Sequence, residues 1–594
     1  MTENRFASAA SRRLIASACT LALVAGGVML AGWAPRPDPV DTPVAAAAPQ
    51  LPGAVAGVAK GPASAYAVVD DTEVAVPAIP MGDPAMVAKI IELGKRDNKV
   101  MDHLTHMTTR IGPRLTGSTR NEKAREWAAE QFRSWGLQNV HMAQWGEIPV
   151  RFDRGPTTGK IFLTTERRNE DGTTSEPRET ELREMQLTTL SWSAGTSGPV
   201  KGPVFKMPKD DAAYAALKDK LKGAWILMER PSREGMRGLR WQLGDDYRRR
   251  ADARQRIADG SRKIEELPIL ERLAFDGVAG YITASRDERV WTGAIPGWRE
   301  MDLAALAMDV HVQVRMSDYD CLNSRLADGD NVSVEIDAQN TFVPGPIACA
   351  NVVAEIPGSK YPGEVIIMSG HIDSWDGPGS QGCTDNGTGS SVMMEAARLL
   401  MAAGVRPERT IRFILWDGEE QGLLGSTAYV KQLQEAGTLD QVVACFVDDG
   451  GTNFQGGVPA LATQKDLLAA ATAPVNGHFF DTASGKPLNV NVRVVETLGT
   501  GGGSDHASFN RAGIPGFYWD EKGRADYGYG WHTQNDTIAL AIPEYLMQSA
   551  TCSAVTAYNL ACAPEKVARE IKKEGEKQSE ERPRRGRDAA TGGT

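Results

Sequence analysis

The stretch EVIIMSGHIDSWDGPGSQGCTDNGTGSSVMMEAARLL, residues 364–400, decides the fold class. Its apolar run at 365–369 is short and rich in β-branched residues, which suits a strand buried on both faces. A Gly-rich loop follows, and residues 390–401 then return to a helical spacing of apolar positions. Downstream the same alternation repeats, with a strand at 411–416, a helix around 429–434 and a strand at 442–447. Strands alternating with helices predict an α/β fold with a doubly wound, mostly parallel sheet and helices on both faces. Such sheets bind ligands just outside the carboxyl ends of their strands, so His371 and Asp373 emerge where a site is expected.

Upstream, residues 121–135 place Ala124, Trp127, Ala128 and Phe132 at helical spacing, with Ser118 as cap and Gly136 as stop. Between these parts the order changes. A turn into a strand near 221–228, a helix end, Gly turn and strand at 272–285, and strands at 310–314 and 332–336 predict an inserted β-rich module. The charged run 248–266 is expected as its exposed helix. The resulting division is 1–48 signal and start of a linker, 49–84 linker, 85–187 first part of the catalytic domain, 188–344 insert, 345–565 main catalytic domain and 566–594 charged tail.

With 594 residues, 41% hydrophobic and 24% charged, the chain has a globular composition, which excludes wholesale disorder and a multi-span membrane protein. A formal net charge of −10 is opposite in sign to a phosphate-binding surface and argues against a nucleic-acid partner. Arg5, Arg12 and Arg13 precede an uncharged stretch at 14–34, the order of an export signal, although that stretch also has the length of one membrane span. A secreted or periplasmic protein with no stable membrane association after signal removal is the expectation. The cysteines outside that segment, Cys321, Cys349, Cys383, Cys445, Cys552 and Cys562, are compatible with one or two bridges, but Cys552 and Cys562 lie too far apart on one helix to pair with each other.

The chemistry gathers at strand ends. Asp385 follows His371 in the loop before the next helix, Glu419 and Glu420 follow the strand 411–416, Asp448 and Asp449 follow the strand 442–447, and His532 comes last in WHTQNDT. So many carboxylates in one partly dry cleft would repel unless cations neutralised them. Imidazole and carboxylate donors without a thiolate suit Zn²⁺, and leave Co²⁺ or Mn²⁺ chemically admissible.

GHIDSWDGPGSQGCTDNGTG (370–389), LWDGEEQGLLGS (415–426), VDDGGT (447–452), GSDHASFNRAGIPG (503–516), WHTQNDT (531–537) and the upstream RIGPRLTGS (110–118) resemble the co-catalytic zinc exopeptidases, in particular their carboxypeptidase Q branch. That resemblance implies two zinc ions per chain, with His371 and Asp449 on one, Glu420 and His532 on the other, and Asp385 shared by both. Glu419 matches the general base acting on a water between the metals. It also implies a cis peptide at Asp385-Asn386, a protease-associated-like insert and a homodimer. On physical grounds Asp373 is the expected acceptor for the His371 N–H. Gly502, Ser504, His506 and Tyr518 are candidates for substrate contact, with the glycines as a carboxylate-binding nest, and Tyr518, Tyr527 and Tyr529 as candidate oxyanion donors. The implied activity is exopeptidase cleavage of dipeptides or short peptides. An aminopeptidase on longer peptides, a one-zinc glutaminyl cyclase and a non-enzymatic receptor-like ectodomain are the alternatives.

Overall fold

The structure, a computed structural model, describes residues 65–166, 175–230, 252–253 and 255–569. The expected signal, the tail from 570 onward and residues 248–251 and 254 of the charged run lie outside the described residues. The rest of that run is helical at 255–258 and forms a 3-10 turn at Ile264–Glu266.

A six-stranded mixed sheet carries the site. Its strands run in the order Gly516–Tyr518, Val442–Val447, Tyr361–His371, Arg409–Trp416, Thr341–Ile356 and Gln138–Asp153. The first four are parallel to one another, and the last two pair antiparallel. Alternation along the central strand explains the two helical layers. Ile366 and Met368 pack in one apolar cluster with Val392, Met393 and Val555, whereas Val365 and Ile367 pack in another with Tyr429, Val430 and Phe509. Burying both faces of one strand stabilises the sheet by roughly 1.5–3 kcal/mol per large aliphatic side chain. Helices Thr388–Ala403 and Pro543–Cys562 cover the first face, and Leu424–Glu435 and His506–Arg511 the second.

Register then positions the chemistry. His371 lies level with Trp416, and Ser369 with Val447, so the residues that follow these three strands leave the sheet along one edge. Upstream, helix Thr119–Ser134 starts under a Ser118 hydroxyl that accepts from the Asn121 N–H at 3.2 Å.

A second, eight-stranded sheet spans Thr157–Thr165 to Asn331–Ala338, and its first two strands precede the boundary drawn at 188 from the sequence. It has its own apolar core around Trp225, Val312 and Val334.

Two corrections concern the ends. Residues expected as linker form a hairpin, Tyr66–Val69 with Thr72–Ala75, which pairs in parallel with Asn491–Val494. The turn residues Asp70 and Asp71 both have positive φ, the geometry that favours a two-residue hairpin turn. At the other end Val567 is buried in the core, so the first residues assigned to the tail pack on the body. All six cysteines among the described residues are free, so the one or two bridges compatible with the sequence are not formed among them. Among the described residues no helix is long and apolar enough to cross a membrane.

Candidate metal centre

His371 ends its strand, buried, with Nδ1 2.9 Å from the backbone carbonyl of Asp373. A carbonyl can only accept, so Nδ1 carries the proton and Nε2 presents a lone pair. That lone pair meets Asp449 Oδ1 at 3.0 Å and Asp385 Oδ1 at 3.3 Å. The other oxygen of Asp385 lies 3.1 Å from His532 Nε2, which is itself 3.1 Å from Glu420 Oε2. One carboxylate thus splits its oxygens between two imidazole–carboxylate pairs. The donor atoms of His371, Asp385 and Glu420 all lie within 4.8 Å of one another.

Two loops hold Asp385 in place. It sits in the turn Cys383–Gly387 before the buried helix, with a cis peptide to Asn386. Asp536, from the same motif as His532, accepts from Thr384 N at 2.5 Å, Thr384 Oγ1 at 2.7 Å and Asp385 N at 3.2 Å. Glu420 accepts from the Trp375 N–H at 3.2 Å. The neighbouring aspartates differ in direction: Asp449 faces His371, whereas Asp448 turns away to accept from Gln455 Nε2 at 2.6 Å.

Asp373 differs from expectation in detail. Its main-chain carbonyl takes the His371 N–H, while its carboxylate, 3.6 Å from that nitrogen, accepts from Thr116 Oγ1 at 2.7 Å and from the Glu419 N–H at 3.2 Å. It therefore orients the backbone that carries Glu419. Glu419 Oε2 lies 4.0 Å from His371 Nε2.

Burial works against a charged His371, yet Asp449 and Glu419 hold its pKa well above the ordinary imidazole value. Burial likewise opposes a charged His532, but Glu420 and Asp385 raise it to about 10. Burial and the Asp385 charge push Glu420 up to about 8, and burial raises Glu419 well above the carboxylate range. Asp385, between two imidazoles that outweigh its burial, is lowered. Oδ2 of Asp385 has no hydrogen bond despite the nearby His532 ring. Each imidazole Nε2 is held against carboxylate oxygens that only a proton or a cation can reconcile with it, and a set of two imidazoles and three carboxylates fits zinc.

The site opens into a cleft of about 420 Å³. Glu419, Gly502, Gly503, Tyr518, Tyr527 and Trp531 are among the residues that line it. Ser504 is buried beside Asp449. His506 is not brought to the cleft; its ring packs on Tyr518 with centroids 5.3 Å apart, and burial pushes its pKa down to about 4. Tyr518 donates its hydroxyl to the Asp449 carbonyl at 2.5 Å, and Tyr529 is largely exposed. Sequence reasoning missed the role of Arg114, although it lies in a quoted motif. Fully buried, it donates to the carbonyls of Ile372, Gly112, Gln381 and Gly382, tying together the loops that carry His371 and Asp385. Trp531 was quoted only as a neighbour of His532, and nothing local marked it as a cleft wall.

Fold and site together define a metallo-exopeptidase. The family model described as peptidase family M28 matches residues 351–555. The chain resembles the co-catalytic zinc exopeptidases, and carboxypeptidase Q in particular: the mouse (Mus musculus) protein is 26% identical over 484 residues, covering 80% of this chain and 88% of that one. Aminopeptidase YwaD of Bacillus subtilis (strain 168) is 30% identical over 217 residues, 36% of this chain and 45% of the relative. Among solved structures, the peptidase M28 precursor from Shewanella amazonensis SB2B shares the fold with a TM-score of 0.53 at 21% identity, covering 82% of this chain and 98% of that one.

Proposed function

We propose that the protein is an exported, binuclear zinc exopeptidase that hydrolyses dipeptides and short peptides with free ends. The observation that carries this is the division of Asp385, with one oxygen 3.3 Å from His371 and the other 3.1 Å from His532. In this assignment His371 and Asp449 hold one zinc, Glu420 and His532 hold the other, and Asp385 is shared. Ions held there would supply Lewis acidity, making a bound water more acidic and polarising a scissile carbonyl.

The remaining work falls to the protein. Glu419 is not spent on a metal and stands beside His371, where it takes the proton of the attacking water and hands it to the leaving amine. Burial in the cleft wall favours its protonated form, which is the state it must reach midway through the reaction. Asp373 fixes its backbone. Tyr527 lines the cleft beside these groups and supplies a hydroxyl donor for the developing oxyanion. A cleft of about 420 Å³ walled by Tyr527 and Trp531 suits a short substrate. The resemblance to carboxypeptidase Q supports the carboxypeptidase or dipeptidase form, and aminopeptidase action is the near alternative because the metal donors would serve both. The eight-stranded module is assigned as a protease-associated-like insert, and the basic, then uncharged, N-terminal segment as the export signal. Two imidazole–carboxylate pairs disfavour a one-zinc cyclase.

The test is dipeptide hydrolysis before and after chelation, with zinc re-addition, in the wild type and in E419Q. Activity that returns only with zinc, and a kcat lowered by about 10²–10⁴ in E419Q at unchanged zinc content, are expected. Full turnover in E419Q would remove Glu419 from the mechanism, and chelator-insensitive activity would remove the metals.

A further inference from the structure

His532 sits at φ 56°, a left-handed conformation that is unfavourable for a non-glycine residue and needs external support. The support comes from the eight-stranded module. Thr292, just beyond the parallel strand Gly280–Ala284 of that sheet, gives the His532 carbonyl two hydrogen bonds, from its N–H at 2.9 Å and from its hydroxyl at 3.2 Å. Around it, Trp291 forms an antiparallel bridge with Thr533, Val290 N donates to Gln534 Oε1 at 2.7 Å, and Arg289 Nη1 donates to the Gly528 carbonyl at 2.6 Å. The methyl group of Thr292 faces the other way, onto Gly377. A Cβ built on Gly377 would lie only 2.1 Å from Thr292 Cγ2. Gly377 belongs to the loop whose Trp375 N–H holds Glu420 and whose Trp375 ring meets the His532 ring edge-on at 5.8 Å. Asp376 in that loop is anchored to Arg154 at 3.0 Å and to Ser191 Oγ at 3.0 Å.

One side chain of the module thus touches the segment that carries His532 and the loop whose Trp375 N–H holds Glu420. We propose that Thr292 is a positioning residue for this half of the metal site, so that the module completes the second metal position. The proposal rests on the binuclear assignment above. It follows that filling the second position depends on the fit between Thr292 and Gly377, while the His371–Asp449 position does not.

The experiment measures zinc bound by the purified full chain across buffers of graded free Zn²⁺, with folding followed by circular dichroism. The wild type fills two equivalents. In T292A, where a hydrogen bond is lost and nothing is crowded, the second equivalent needs about fivefold more free zinc and the first is unchanged. In G377A the new Cβ displaces Thr292, and the second equivalent needs roughly tenfold or more. The G377A/T292S chain, which keeps the hydroxyl and removes the crowded methyl, returns to the wild-type curve. Should G377A fail to fold, T292A alone decides. A wild-type-like T292A curve, or a folded G377A that T292S does not restore, overturns the role of Thr292. A wild-type chain that takes up fewer than two equivalents overturns the binuclear assignment itself, and the two failures are told apart by that control.

Discussion

Nδ1 of His371 donates to the backbone carbonyl of Asp373 at 2.9 Å, and this single bond dictates what the opposite nitrogen can do. With its tautomer fixed, Nε2 aims a lone pair at carboxylate oxygens and is satisfied only by a proton or a metal. In the metal-free protein protons must serve, and their release destabilises the fold. His532 has its pKa raised from 6.5 to about 10, so its contribution is full below the unfolded value and disappears as pH rises toward 10. Glu420, raised from 4.5 to about 8, keeps in the fold a proton that the unfolded chain releases earlier, and its contribution also fades with rising pH. Both signs agree. Chelated protein should lose Tm steadily from about pH 6 to about pH 9, while the zinc-loaded protein should not, because metal binding replaces those protons. Thermal melts with chelator and with zinc at both ends of that range check it; a gap that stays constant with pH contradicts the arrangement.

Much of the catalytic sheet was legible because its strands are buried on both faces. The run Val442–Val447 could be placed from its apolar length alone, and the donors then followed from where strands end. The glycines and threonine behind Asp449 favour it over Asp448, and it is Asp449 that faces His371. What local pattern could not supply was long-range pairing. Thr292 meets His532, and Arg114 meets Ile372, across separations of 240 and 258 residues, and neither side of either contact carries a periodic signal. The hairpin Tyr66–Val69 and Thr72–Ala75 falls in the expected linker because Ala, Pro and Gly precede it, although Asp70-Asp71 between β-branched Val69 and Thr72 is a turn signal. His506 could be read from its motif either as a packing residue or as a substrate contact. Its position on helix His506–Arg511 turns the ring onto Tyr518 instead.

Arg114 offers a test of the frame beneath the metals. Its guanidinium meets four carbonyls and, among the described residues, no carboxylate within ion-pair distance, and burial lowers its pKa only to about 10, so it stays charged. R114M should leave those carbonyls unpaired and lower unfolding stability by about 3 kcal/mol, read from the urea midpoint. R114K retains the charge but lacks the planar fork, and should recover only part of the loss. Equal stability in all three proteins would show that the loops do not depend on this residue.

Among the tyrosines of the cleft the hydroxyls differ in commitment. Tyr518 is tied to the Asp449 carbonyl, whereas Tyr527 lines the cleft with its ring against Gly451. If Tyr527 donates to the oxyanion, Y527F should lower kcat by roughly 10²-fold with KM little changed. Y518F, which loosens the Asp449 backbone, should instead show its effect as weaker zinc retention. The opposite pattern in the two variants would exchange their roles.

The glycines at the cleft mouth bear on which end of a peptide is gripped. Gly502 and Gly503 line the cleft, and a Cβ at Gly502 would meet nothing within 4 Å, so a larger residue there does not disturb packing. Any effect of G502V must therefore come from the backbone it restricts or from the substrate it meets. If the N–H groups of this turn bind a terminal carboxylate, restricting them weakens that contact in the ground state and the transition state alike. KM for dipeptides with a free carboxylate should then rise by about tenfold, with kcat unchanged, while KM for the amidated analogues stays where it was. A uniform rise for both substrates would mean simple obstruction of the cleft mouth, and no rise for either would leave the carboxylate to be held elsewhere.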